Sequence, residues 1–206
     1  MQLDLSKNQL CGVDEYGDGT YSAEGIIAIA DALRVSEALT SVNVARNDIT
    51  GDAARELAAV VLGKPTLESF CKIPLKQLRA DELTEINLWG KGVGVPGALV
   101  LAGLLPVSEA LTFLNLGQNA LGDEGAEAIA AALKENKESK LATLNLEGKR
   151  YGNGRIGPRG AAALASAIAV SEALTSVDLR GNYMGDGGEA ALREAVKGRE
   201  GFKLMM

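Results

Sequence analysis

Residues 111–121 read LTFLNLGQNAL, and this stretch decides the fold. Its apolar residues follow the pattern L-x-x-L-x-L, an asparagine comes three positions later, and one more leucine closes the unit. Apolar residues that alternate with polar ones are typical of a half-buried β-strand. The pattern recurs along the chain, complete or with single departures, with its first apolar residue at Leu39, Leu67, Leu83, Leu141, Leu174 and Phe202, and it begins without that residue at Leu3.

This recurrence defines a repeating unit, and we number the repeats from one, at Leu3, to seven, at Leu174. From Leu39 onward their starting residues lie 28 to 33 positions apart, except that 16 positions separate Leu67 from Leu83. After each asparagine position comes a Gly-rich turn and then an Ala-rich run, such as LGDEGAEAIAAAL at 121–133, with helical spacing of its apolar residues. Each full repeat is therefore predicted to be a strand, a turn, a helix and a return.

Two segments refine this prediction. The third repeat, 67–82, is short, and Pro74 directly follows its apolar start, so we expect a loop where the other repeats have a helix. The hexapeptide VSEALT occurs at 35–40, 107–112 and 170–175, each time between a predicted helix and the next first leucine. We interpret it as the return from helix to strand, with Val and Leu in the core and Ser and Glu facing water.

The repeat resembles the leucine-rich repeats of the ribonuclease-inhibitor-like class, which also occur in Ran GTPase-activating proteins and nucleotide-binding immune receptors. The resemblance covers essentially the whole chain. It implies an α/β solenoid of about seven repeats, a single domain over residues 1–206, with a parallel sheet on the concave side and helices on the convex side. It also implies protein binding through the concave face or its rim. Ribonuclease inhibitors are rich in cysteine, whereas this chain has two.

Composition excludes several classes of function. The net charge of −6 argues against a nucleic-acid binder, and the longest apolar stretches are too short to span a bilayer. Residues 1–10 do not read as a signal peptide, and two cysteines without a framework favour an intracellular, cytoplasmic protein. The chain has no histidine, and we find no nucleophile–base pair. We therefore expect neither an enzyme nor a cofactor.

Three loops contain motifs with a functional and a structural interpretation. GVGVPG at 92–97 and GNGRIG at 152–157 match the glycine pattern of dinucleotide-binding loops, but the repeat register favours turn glycines. Residues 14–25 (DEYGDGTYSAEG) have some of the oxygen ligands of a calcium loop, but Gly25 stands where a bidentate Glu is required. We favour an acidic loop on the rim.

The asparagines at 8, 47, 119 and 182 are predicted to be buried and to satisfy backbone groups of the turn that leaves each strand. Lys91 and Lys149 occupy the same position in repeats four and six, and an ammonium group cannot accept hydrogen bonds. We therefore expect a different turn in these two repeats. Solenoids need polar caps at their ends, and because we see none, we expect either a longer array or end-to-end association.

Candidate contact residues follow from the alternation of the strands and from two insertions. Outward columns of the predicted sheet carry Glu85, Trp89, Phe113, Glu147 and Arg180, and we expect the two rings to share one patch. Longer loops in repeats one and six are predicted to project from one rim. They carry Tyr16, Arg150, Tyr151 and Arg155.

These features predict a non-enzymatic protein–protein interaction module or scaffold that binds a protein partner through its concave face and rim loops. The alternative is a regulatory subunit, either an enzyme inhibitor or a GTPase-activating type. A stoichiometric effect on a partner's turnover would favour the regulator.

Overall fold

A computed structural model describes residues 1–14, 18–150 and 152–206. Strands and helices alternate along these residues. The strands are β1 (Gln2–Asp4), β2 (Ser41–Asn43), β3 (Ser69–Phe70), β4 (Glu85–Asn87), β5 (Phe113–Asn115), β6 (Thr143–Asn145), β7 (Ser176–Asp178) and β8 (Lys203–Met205). The helices are α1 (Glu24–Val35), α2 (Gly51–Leu62), α3 (Leu75–Arg79), α4 (Gly94–Leu104), α5 (Gly122–Glu135), α6 (Pro158–Val170) and α7 (Gly185–Ala195), and a 3-10 turn (Leu105–Val107) follows α4.

All strand pairs are parallel, and their order follows the chain. The inner apolar residues are in register across the sheet, as Leu114, Leu144 and Val177 show. These three are buried, together with the inner face of each helix, for example Ile129 and Leu133 of α5. The predicted α/β leucine-rich solenoid is confirmed.

From α4 to α7 the helices approach each other closely because glycine meets alanine at each step. A Cβ atom built on Gly125 would lie 2.9 Å from the Cβ of Ala98 in the preceding helix. Gly160 and Gly188 have the same relation to Ala126 and Ala161, at 2.9 and 2.8 Å. These glycines stand in the first turn of α5, α6 and α7. The GVGVPG motif is part of the turn that begins a helix. Gly94 opens α4 as Gly122 opens α5, and both glycines have a positive φ.

The third repeat interrupts the sheet. β3 pairs with β2, but no pairing joins β3 to β4 among the described residues, so the strands form one sheet of three and one of five. The expected loop is replaced by the five-residue helix α3, which begins directly after Pro74, because proline is compatible with a helix start. Helix α2 consequently packs on α4, with Leu62 against Gly103.

The VSEALT copies end a helix and deliver a buried leucine to the next strand, as predicted. The prediction for their valines was wrong. Val35, Val107 and Val170 are 80%, 62% and 58% exposed, because each is the last residue of its helix and lies outside the inner face. Ser108 is buried instead, and its hydroxyl donates to the carbonyl of Leu104 at 2.9 Å.

A buried asparagine connects consecutive turns. The Asn119 carboxamide oxygen accepts the N–H groups of Gly92 and Val93 in the preceding repeat, at 2.6 and 3.2 Å. Its amide nitrogen donates to the carbonyl oxygens of Leu88 and Leu116, at 2.7 and 2.9 Å. Asn47 and Asn182 make equivalent bonds to repeats one and six.

Two predictions about these turns need correction. Asn8 is exposed, because it lies in the outermost turn of the stack, and Asn182 is only half-buried. Repeat four has the same turn as repeats two and five. Gly90 and Gly92, on either side of Lys91, have positive φ like the residues that flank Asn47 and Asn119. The turn does not depend on the residue at 91, because the bonds come from Asn119 of the next repeat.

Replacement of Asn119 by alanine should lower the free energy of unfolding by about 2–4 kcal/mol, because it leaves several buried backbone groups without partners. Urea unfolding measures this change. The matched control, Asn8→Ala, removes the same group from an exposed turn and should cost less than about 1 kcal/mol. Similar losses for both variants would contradict the role of Asn119.

Candidate functional site

The middle outward column of the sheet is occupied by short polar residues that hold their own strands in place. Asn115 and Asn145 each accept the backbone N–H of the residue two positions later, at 3.1 and 2.8 Å. The corresponding bonds are formed by Asp4, Asn43, Asn87 and Asp178. These bonds turn each chain away from the sheet, so the middle column has a structural role in addition to its position on the surface.

One flanking column contains Glu85 and Phe113, which are register partners on β4 and β5. Glu85 is exposed and Phe113 is half-buried. The other flanking column contains Trp89, which is 51% exposed and lies against Gly117, where a Cβ would be 2.9 Å from the indole. Gly117 is four residues beyond Phe113, so the two rings belong to different flanking columns of neighbouring strands. That they share one patch stays a prediction.

Glu147 and Arg180 continue the Trp89 column. The Glu147 carboxylate accepts a hydrogen bond from the Gln118 amide at 2.8 Å, and Arg180 binds both oxygens of Asp178, at 2.6 and 3.0 Å. Burial raises the pKa of Asp178, but the side-chain and backbone hydrogen bonds from Arg180 outweigh it, so the pKa lies below the ordinary value of 3.8. Arg180 is exposed and available on its outer side.

The loop of repeat one is closed on itself. Val13 and Gly19 form an antiparallel bridge, and the Asp14 carboxylate accepts the N–H of Asp18 at 3.0 Å. Tyr21 anchors the loop to repeat two by donating to the carbonyl of Thr50 at 3.0 Å. Tyr16 lies outside the described residues. Within residues 1–14, 18–150 and 152–206, no group of three Asp, Glu, Cys or His side chains could hold a metal ion.

The loop of repeat six is held by Arg155. Its guanidinium donates to the carbonyl oxygens of Lys149 and Arg150, both at 2.8 Å, and stacks on the Tyr183 ring at 4.4 Å. Arg150 itself is exposed, and its N–H donates to the Gln118 side chain at 2.9 Å. Arg155 therefore shapes the loop, whereas Arg150 is the more accessible candidate. Tyr151 lies outside the described residues.

Both loops line one cavity of about 740 Å³ at the rim, where the strands of repeats two, four and five end. This agrees with the prediction that the loops project from the same rim. Of the candidate contact residues, Trp89 and Arg150 line the cavity, whereas Glu85, Phe113, Glu147, Arg155 and Arg180 do not. The wall also contains Arg46, Asp48 and Lys149, of which Arg46 and Asp48 were not predicted.

Arg46 reaches the cavity because the third repeat is short. Its N–H donates to the Gly92 carbonyl at 3.1 Å, and its guanidinium donates to the Gly90 carbonyl at 2.7 Å. The turn of repeat two thereby contacts that of repeat four directly. The 16-residue interval in the sequence was the signal that could have revealed this contact.

The repeated strand–turn–helix units and their open concave face define the class as a leucine-rich solenoid. Residues 36–58 and 108–130 match the family model for the leucine-rich repeat. The chain is 30% identical over 168 residues to the ribonuclease inhibitor of Sus scrofa, covering 82% of this chain and 32% of the inhibitor. It is 29% identical over 118 residues to RAN GTPase-activating protein 2 of Arabidopsis thaliana, covering 57% of this chain and 21% of that protein.

Among solved structures, the Leiomodin-1 Actin-Binding Site 2 superimposes with a TM-score of 0.54 at 22% identity, covering 65% of this chain and 77% of that one. This likeness concerns the fold. The chain is a leucine-rich repeat protein of the ribonuclease-inhibitor-like class, and it spans about a third of the length of the inhibitor that it matches. No helix in the described part of the chain is long and apolar enough to cross a membrane.

Replacement of Arg180 by alanine should raise the pKa of Asp178, because burial and the backbone hydrogen bond remain while the side-chain hydrogen bonds from the guanidinium are lost. We expect the variant to be less stable than the unmodified chain at pH 7, because the buried Asp178 carboxylate loses its side-chain partner. The ionised Asp178 stabilises the folded state above pH 3.8, and this stabilisation is lost as the pH falls through its lowered folded-state pKa. The difference in free energy of unfolding between the variant and the unmodified chain should therefore become smaller in acid. Urea unfolding from pH 7 to pH 3 measures it.

The control is Arg193→Ala, which breaks the exposed pair with Glu189 and should cost less than about 0.5 kcal/mol. If Arg180→Ala loses equally little stability at pH 7, the side-chain bonds from Arg180 do not stabilise the buried Asp178 carboxylate.

Proposed function

We propose that this protein is a non-enzymatic interaction module that binds a protein partner through its concave face and rim loops. The observation that carries the proposal is the half-exposed indole of Trp89, which lies against Gly117 on a face otherwise dominated by small and polar residues. Such aromatic residues often anchor protein interfaces. Glu85, Phe113, Glu147 and Arg180 surround the remaining concave surface, and Arg150 extends it to the rim.

We also propose that residues 1–206 act as one repeat domain and that the protein is cytoplasmic. Consecutive helices pack from α1 to α2 and from α4 to α7, and the contact between α2 and α4 bridges the short repeat, which supports one domain. End-to-end association through β1 and β8 stays a prediction.

A regulatory role is the second candidate. It is favoured by the similarity to a ribonuclease inhibitor and to a GTPase-activating protein, the first of which covers 82% of this chain. The two candidates differ in one measurement. A regulator changes the turnover of a purified partner in proportion to the amount of complex, whereas a scaffold binds the partner without changing its rate.

The double variant Trp89→Ala, Phe113→Ala should weaken capture of the partner at least about tenfold, because it removes the two aromatic anchors. Affinity capture with quantitative mass spectrometry, compared with the unmodified chain, identifies the proteins whose recovery falls. The melting temperature should fall by less than about 5 °C, since both side chains are partly solvent-accessible.

The control variant, Val35→Ala with Val170→Ala, removes two exposed apolar side chains at helix ends away from the concave face. Its captured proteins should match those of the unmodified chain. If the aromatic variant loses stability and keeps every captured protein, the rings are structural and the concave face is not the binding surface.

A further inference from the structure

Two backbone hydrogen bonds at fixed positions connect a strand of the solenoid to the strand before it. In β5, the Phe113 N–H donates to the Thr84 carbonyl at 3.2 Å, and the Asn115 carbonyl accepts the Leu88 N–H at 2.8 Å. The same two bonds recur in β2, β6, β7 and β8, where the residue pairs are Ser41 and Asn43, Thr143 and Asn145, Ser176 and Asp178, and Lys203 and Met205. Such bonds continue a parallel sheet from strand to strand.

Strand β4 forms neither of these bonds to any residue that the structure describes. The equivalent groups are the Glu85 N–H and the Asn87 carbonyl, while Ile86 between them pairs with β5. Glu85 and Asn87 are exposed like the corresponding residues of the outermost strand β1, whereas their counterparts in β5 and β6 are half-buried. The concave face therefore contains an open strand edge between its two sheets.

The preceding strand does not close this edge, because repeat three satisfies its own backbone groups on that side. The residues on either side of Phe70 donate to β2, so Phe70 faces the opposite way. Its N–H donates to the Ile73 carbonyl at 3.1 Å, and its carbonyl accepts the Ile73 N–H at 2.8 Å. The Glu68 carbonyl accepts the N–H of Lys76 in α3 at 3.2 Å. Repeat three thus caps β3 and leaves the edge of β4 open.

The charges on and directly before β4 are acidic. Glu82 and Glu85 are exposed, and neither forms an ion pair within the described part of the chain. On the side of repeat three, Lys76 is paired with Glu68 at 3.3 Å, whereas Lys72 is exposed and forms no ion pair with a described carboxylate. Two carboxylates against one ammonium favour a basic occupant, with its positive charge on the side of β4.

The surroundings of the edge favour a single extended chain as the occupant. At the rim end, the Arg46 guanidinium donates to the Gly90 carbonyl at 2.7 Å and connects repeat two to repeat four. A second copy of the chain would have to bring a whole sheet between these repeats, whereas one extended segment lies about 5 Å from its neighbouring strand. The alternating donors and acceptors of a strand edge are themselves complementary to another strand.

We propose that β4 binds an extended basic segment of the protein partner as an added strand, through the Glu85 N–H and the Asn87 carbonyl. A lysine or arginine of the segment lies opposite Glu85, since opposite charges stabilise cross-strand pairs. Trp89 comes two residues after Asn87, so the added strand is continuous with the aromatic part of the concave face. This inference rests on the proposed function and names the mode by which the partner binds.

The probe is a blocked heptapeptide that alternates valine and lysine between terminal threonines. Its match has the same side chains and charge but N-methylated valines and lysines, which cannot donate backbone hydrogen bonds. In amide NMR of the full chain, the probe should shift the Glu85 resonance in a saturable way below about 5 mM and slow its hydrogen exchange. The N-methylated match should do neither, and a peptide with glutamate in place of lysine should bind at least about threefold more weakly.

Two variants of Glu85 separate the backbone bond from the charge. Glu85→Pro removes the open N–H and keeps the pairing with β5, which Ile86 provides. It should bind the probe at least about tenfold more weakly than Glu85→Ala, which loses only the carboxylate. Gln2→Pro is the matched control, because it makes the same backbone change at the exposed edge of β1, and it should alter the affinity by no more than about twofold.

Three results would each overturn the inference: equal binding of the N-methylated match, equal affinities of Glu85→Pro and Glu85→Ala, or an equal loss for Gln2→Pro. The comparison of the two peptides decides the question alone if Glu85→Pro does not fold.

Sedimentation of the chain without peptide tests the other occupant. A dimer that Glu85→Pro converts to a monomer would overturn the assignment to a partner segment and show that the edge pairs with a second copy. If the probe fails while capture of a partner still depends on Trp89 and Phe113, the inference fails and the proposed function stands.

Discussion

The architecture depends on one hydrogen-bonding arrangement, the buried asparagine carboxamide that connects the turn of one repeat to the turn before it. Asn119 accepts two backbone N–H groups of repeat four and donates to carbonyl oxygens on both repeats. These turns need left-handed backbone at non-glycine residues such as Gln118 and Ala120, which costs about 1–2 kcal/mol each. The carboxamide bonds offset that cost, and they fix the distance between successive strands where the chain leaves the sheet.

The short third repeat shows how the solenoid accommodates the loss of one such connection. Because the turn of repeat three has no asparagine position, the Gly51 N–H at the start of α2 lacks the carbonyl partner that Gly94 finds in Asn119. Glu124 of repeat five supplies the acceptor at 3.1 Å, and Arg46 bonds to the turn of repeat four. Two long side chains thus replace a turn, and because they are less bulky than a repeat, the space around them becomes part of the rim cavity.

The sequence predicts most of the scaffold because its information is local and periodic. The leucine columns, the parallel order and the outward columns all follow from counting residues, and counting also places Trp89 opposite Gly117 and not opposite Phe113. The exposed valines of VSEALT were mispredicted because the last residue of a helix can lie on either face. The direction of the asparagine bonds, toward the preceding repeat, could not be read from one repeat alone, since the partner atoms are 26 to 42 residues away.

The distribution of polar bonds limits where recognition can vary. The middle column of the concave face accepts backbone N–H groups at every strand that it occupies, so a change at Asn115 or Asn145 affects the fold as well as the surface. The side chains of the flanking columns do not accept these backbone N–H groups. The flanking columns also contain the residues that differ most between repeats, such as Trp89 and Glu147. The side chains that are free of a structural role in this solenoid are therefore those at which the repeats depart from their common pattern.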